Sequence, residues 1–137
     1  MSEVASNVKS LIDTAKADGH AVFGINISGT KYYYRSINRA EFRELQEKLT
    51  DEAEKARTEA DKQKKGLKDD DPQVEAINNK LEREATAIRD RGEDRLVQKG
   101  LIHPALTINT PAGVISNLAD RIMQASGYGT EEEPEIV

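Results

Sequence analysis

AVFGINISGTKYYYRSINRAEF, Ala21 to Phe42, sets the fold class of this 137-residue chain. Val22, Gly24 and Asn26 alternate with Phe23, Ile25 and Ile27, the period of a strand with two unlike faces, and the second set is the expected buried face. Ser28-Gly29-Thr30 reads as a turn. Lys31 to Ile37 then returns as a second strand with three consecutive tyrosines, Tyr33 facing one side and Tyr32 and Tyr34 the other. Asn38 follows, with Glu41 three residues later. This is capping-box spacing, with Asn in place of the usual Ser or Thr, and it predicts a long helix over 39–64. Two strands alone are marginal in water. The hairpin must therefore pack on a first helix, on the C-terminal segment or on another molecule.

Working outward, the helix after Asn38 carries one narrow stripe: Phe42, Leu45, Leu49, Ala53, Ala56 and Ala60. Such a stripe lets another helix approach closely but buries little area. Gly66 to Pro72 breaks the pattern, and Asp71-Pro72 is a start signal for a helix over 73–100 with Val74, Ile77, Leu81, Ala85 and Ile88 on one face. The two stripes suit an antiparallel helical hairpin. Upstream, Val4, Val8, Leu11, Ile12 and Ala15 predict a helix over 2–18, with Ser2 as N-cap and Gly19 as the left-handed terminator. Downstream, Gly100 and Pro104 loosen or end the second arm helix. Thr110-Pro111 opens a last helix, with Thr110 as cap and Pro111 in first position, carrying Val114, Ile115, Leu118, Ile122 and Met123.

The expected fold class is mainly α with a small N-terminal β-hairpin, that is α+β, and a long central helical hairpin arm. Residues 1–50 and 95–128 together form one small domain, 51–94 a projecting charged arm, and 129–137 an acidic disordered tail.

Composition narrows the function. Charged residues reach 33%, hydrophobic residues 36% and aromatics 4%, so the apolar side chains serve narrow stripes rather than a deep core. The formal net charge of −5 and a pI near 5.1 argue against a general nucleic-acid partner. The chain has no Cys, which removes disulfides, zinc-thiolate sites and thiol nucleophiles together. No apolar run approaches a membrane span, and Met1 to Asp18 mixes Glu3, Lys9 and Asp13 into its apolar pattern, unlike a signal peptide. The expected location is the cytoplasm.

No catalytic constellation stands out. His20 and His103 lack a helical ligand partner, Asp69-Asp70-Asp71 lacks the glycine and distal glutamate of a calcium loop, and Ser28-Gly29-Thr30-Lys31 lacks phosphate-loop spacing. No metal, cofactor or enzymatic activity is expected. Tyr32-Tyr33-Tyr34-Arg35 with Arg39 and Arg43 sets aromatics beside positive charge. Stacking on single-stranded bases is one use of such a surface, and strand packing or protein contact is the preferred one. The dense block Leu101, Ile102, Leu106, Ile108, Val114, Ile115, Leu118, Ile122 and Met123 is core against the hairpin, with part left as a patch for a client. The expected partner-binding residues are Tyr33, Arg35, Arg39, Leu101, Ile102, Leu106, Ile122 and Met123.

Tyr34-Arg35-Ser36-Ile37-Asn38-Arg39-Ala40-Glu41-Phe42, then Leu101-Ile102-His103-Pro104, then Pro111-Ala112-Gly113-Val114, and finally Ile122-Met123-Gln124-Ala125-Ser126-Gly127-Tyr128 occur in this order. The order resembles that of the small tail assembly chaperones of long-tailed bacteriophages, over roughly residues 20–128. Ser36 stands where that pattern favours Pro, and the arm is longer and more polar. The resemblance implies a non-enzymatic helper in the host cytoplasm that keeps tape-measure or tail-tube subunits soluble, with other phage structural proteins as partners and a homo-oligomer allowed. A permanent structural or adaptor protein of the virion is the alternative.

Overall fold

The backbone changes from period two to period 3.6 across Ser36, Ile37 and Asn38, and the reason is local. In the computed structural model, which describes residues 3–129 and Ile136, β1 (Val22–Ile27) and β2 (Thr30–Arg35) form an antiparallel pair. Ser28 and Gly29 both have positive φ, 51° and 82°, the two-residue turn whose twist matches the strands, so Thr30 belongs to β2 rather than to the turn. After β2 the capping box closes reciprocally. The Glu41 N–H donates to Asn38 Oδ1 at 2.9 Å, the Asn38 N–H donates to Glu41 Oε1 at 3.1 Å, and α2 runs over Arg39–Lys64.

The remaining elements are α1 (Glu3–Ala17), α3 (Pro72–Gly100), β3 (Leu101–His103) and α4 (Ala112–Ala125). Helix accounts for 65% of the described residues, and the hairpin precedes the long helices, an α+β architecture. Gly19 terminates α1 at φ 91°, with its N–H on the Lys16 carbonyl and the His20 N–H on the Ala15 carbonyl. Asp71 starts α3 through its side chain, which accepts the Gln73 N–H at 2.9 Å. The Ser2 cap lies outside the described residues, as does the acidic segment 129–137 apart from Gly129 and Ile136.

Two local expectations are corrected. Thr110 does not cap α4. Its Oγ1 accepts the Thr107 N–H at 2.9 Å, and Pro111 occupies the N-cap position with no side-chain bond. The sheet has three strands, in the order β1-β2-β3, because α3 ends at Gly100 and the next three residues pair antiparallel with Tyr33 and Tyr34.

The chain divides into two compact units, Met1–Glu41 with Glu93–Val137, and Phe42–Gly92. In the first, Val97, Leu118 and Ile122 are fully buried, surrounded by the buried Tyr32, Tyr34, Ile37 and Val114. Gly100 is where α3 meets α4. A Cβ there would stand 2.7–2.9 Å from three side-chain carbons of Ile122, so only glycine permits this approach. In the second unit, α2 and α3 run antiparallel. Lys64 Nζ donates to Asn78 Oδ1 at 3.1 Å at one end, and Arg91 Nε to Glu52 Oε2 at 3.3 Å at the other. Only Ala60 and Ile88 are buried there, while Leu49, Ala53, Ala56, Ile77 and Leu81 remain half-buried.

Two substitutions separate the units. Ile122→Ala removes a fully enclosed side chain and is expected to cost about 3–5 kcal/mol, whereas Leu81→Ala, already partly wet, is expected to cost about 2 kcal/mol or less. Gly100→Ala should cost about 1–3 kcal/mol by overpacking against Ile122. Urea unfolding of the three variants checks the order, and equal losses for Ile122→Ala and Leu81→Ala would contradict it.

Candidate protein-binding surface

The hairpin and the start of α2 are locked by one charged cluster. Arg35, at the end of β2, donates from Nη1 to Glu41 Oε1 at 3.0 Å and from Nη2 to Oε2 at 2.7 Å, a two-pronged ion pair. Nη1 also donates to the Ser36 carbonyl at 2.9 Å and lies 3.2 Å from His20 Nδ1. His20 Nε2 is 3.8 Å from Glu41. The Arg35 and Glu41 side chains are each only 16% exposed. Hydrogen bonding from Arg35 holds the Glu41 carboxyl below its usual value near 4.5, opposed by burial and helped by the Asn38 N–H and the positive charge of Arg35.

A second tie brings in the C-terminal helix. Ser126 Oγ accepts the Ile37 N–H at 2.8 Å and donates to the Ile122 carbonyl at 2.6 Å. Ser36 closes the hairpin base, its N–H on the Ala21 carbonyl at 2.8 Å and its Oγ accepting the Ala21 N–H at 3.0 Å.

This geometry reassigns several residues expected to bind a partner. Arg35 is engaged within the chain and acts as a clamp. Ile122 has no exposed surface and is a core side chain. Leu101 and Ile102 are half-buried in β3, where Leu101 sits opposite Tyr34, and Leu106 and Met123 are also half-buried. Tyr33 covers Gly24 on the neighbouring strand, with Lys31 Nζ 5.5 Å from its ring centre. Arg39 is the one exposed member of the set.

Exposed large apolar side chains lie elsewhere, at Leu11, Ile108, Tyr128 and Ile136 and, on β1, at Phe23. Alternate hydrogen-bonded pairs in the hairpin are Ile27 with Thr30, Ile25 with Tyr32 and Phe23 with Tyr34. The N–H and C=O groups of Val22, Gly24 and Asn26 therefore point away from β2, along the sheet edge. Phe23 was expected to be buried with Ile25 and Ile27. It shares their face and stacks on Tyr34 at 5.6 Å, yet it is 44% exposed, and among the described residues no strand pairs on the outer side of β1. No charged residue and no proline interrupts Val22–Ile27, the devices that ordinarily blunt an edge. The two-residue turn and this uncharged run were the signals in the sequence.

Among the described residues no group of three or more His, Asp or Glu side chains is placed to hold a metal, and no helix is long and apolar enough to cross a membrane. No family model, curated protein or solved structure matches the chain.

The clamp makes a pH prediction. A carboxyl held below its unfolded value stabilises the fold fully above about pH 4.5 and loses that contribution as pH falls through its folded value. Glu41→Gln should remove this part of the acid dependence and lower stability at neutral pH by about 1–3 kcal/mol. Thermal unfolding from pH 7 to pH 3 reads both effects; an unchanged acid limb would mean that Glu41 does not carry it.

Proposed function

We propose that this chain is a non-enzymatic protein-binding assembly factor, a tail assembly chaperone of a long-tailed phage that keeps tail subunits or tape-measure segments soluble until they polymerise. The open edge of β1 carries the reading. An extended segment of a client adds beside Val22–Ile27 as an outer strand, its backbone bonding to Val22, Gly24 and Asn26 and an apolar side chain covering Phe23. Backbone pairing is tolerant of client sequence, and occupation of an aggregation-prone strand is what a solubilising factor needs. The ordered motifs from Tyr34 to Tyr128 support the phage assignment. The host cytoplasm is the proposed location.

The Phe42–Gly92 helical hairpin supports a second reading, a permanent structural or adaptor protein whose arm threads between virion subunits. Mass spectrometry of purified particles separates the two, since stoichiometric copies favour structure and absence favours a chaperone.

Co-expression with the phage tail proteins followed by pull-down tests the main reading. A soluble complex is expected with the wild-type chain. Phe23→Lys or Asn26→Pro should weaken it at least ten-fold with helical content unchanged, because each alters the outer edge and neither interrupts a bond to β2. No complex with any tail protein would sink the proposal.

A further inference from the structure

The hairpin register sets Gly24 opposite Tyr33 and Asn26 opposite Lys31, so these four residues share one face, the reverse of the face that carries Phe23, Ile25, Tyr32 and Tyr34. Gly24, Asn26 and Lys31 are exposed on it and Tyr33 is half-buried. Gly24 brings no side chain, and Lys31 leans diagonally into the space. Its Cε stands 3.1 Å from where a Cβ on Gly24 would be, and its Nζ lies 5.5 Å from the centre of the Tyr33 ring. The ammonium of a β2 residue is thereby brought over β1, the strand at the edge. Among the described residues no carboxylate forms an ion pair with Lys31.

An antiparallel strand added beside β1 sets one of its residues opposite Gly24 and on the same face, with the two Cβ positions about 5 Å apart. The side chain of that residue meets the Lys31 ammonium across a backbone with nothing to intervene. The residues before and after it fall on the other face, against Phe23 and Ile25. We infer that the segment taken up by the β1 edge alternates acidic and apolar, with Asp or Glu opposite Gly24 and apolar residues on either side of it. This rests on the strand-addition reading above and adds the chemical class of the client segment. A basic residue opposite Gly24 meets Lys31 as a like charge, which a cross-strand pair disfavours. Lys31 also has a use within the chain, its stem covering Gly24 and its charge facing the Tyr33 ring. Stem and charge therefore need separate variants.

The probes are blocked peptides of alternating threonine and valine in which the central threonine is replaced by glutamate or by lysine. Each is titrated by NMR at low salt into the isotope-labelled full chain. Shifts of the Val22, Gly24 and Asn26 amides, whose N–H groups point outward, locate the binding. The glutamate peptide is expected to bind about five-fold tighter than the lysine peptide. The net charge of −5 favours the opposite order, so this preference reports the local lysine. Lys31→Met keeps the stem and should abolish the difference, and Lys31→Glu should reverse it, both with circular dichroism unchanged. Equal binding of the two peptides at these amides, or tighter binding of the lysine peptide, overturns the inference and leaves strand addition standing. A glutamate preference that survives Lys31→Met overturns it as well. Peptides that leave the three amides unshifted overturn the inference together with the strand-addition reading.

Discussion

One carboxylate, Glu41, determines how the strand pair passes into the long helix. It accepts the Asn38 N–H as half of the capping box and both prongs of the Arg35 guanidinium as half of an ion pair. Capping alone would start a helix anywhere after Asn38. The guanidinium adds a rigid planar fork that fixes the carboxylate relative to the end of β2. Because both side chains are only 16% exposed, the pair is shielded from the screening that makes surface ion pairs weak. Removing either partner leaves the other charge in a place chosen for its opposite, which makes this position sensitive out of proportion to its size.

From that joint, the first unit closes by small residues rather than large ones. Ser126 satisfies the Ile37 N–H from the far end of the chain, and Gly100 lets α3 come against Ile122. Neither residue carries much apolar surface. Their work is to permit approach, so that Val97, Leu118 and Ile122 can be fully enclosed in a chain with few aromatics. The third strand follows from the same approach, since the residues after Gly100 arrive beside β2 and pair there. One side of β2 is thereby covered by β3 and the other by β1, which leaves β1 and β3 as the two edges of the sheet.

The second unit has the opposite economy. Its helices are held by caps, by i,i+3 and i,i+4 neighbours and by a few polar bridges, with only Ala60 and Ile88 fully withdrawn from water. Helices of this kind derive little stability from propensity alone. The half-buried Leu49, Ile77 and Leu81 thus keep apolar surface in contact with water.

Most of what acts over one or two turns of chain was legible in the sequence, the exceptions being Thr110, which does not cap α4, and Thr30, which belongs to β2 rather than to the turn. The period-two run of Val22–Ile27, the positive-φ turn at Ser28-Gly29, the Asn38–Glu41 capping box, the Gly19 terminator and the Asp71-Pro72 start are each decided by neighbours a few residues away. Tertiary structure decided what depends on distant partners. Leu101–His103 is too short a run to read as a strand until β2 lies beside it. Arg35 looked available for a partner until Glu41 took it, Ile122 looked like part of a patch until Gly100 admitted α3 against it, and Phe23 looked buried until β1 proved to be the edge. Periodicity tells which face of an element is apolar. Whether that face is covered depends on the order of the strands and the approach of the helices, and those are set by contacts between residues far apart in the chain.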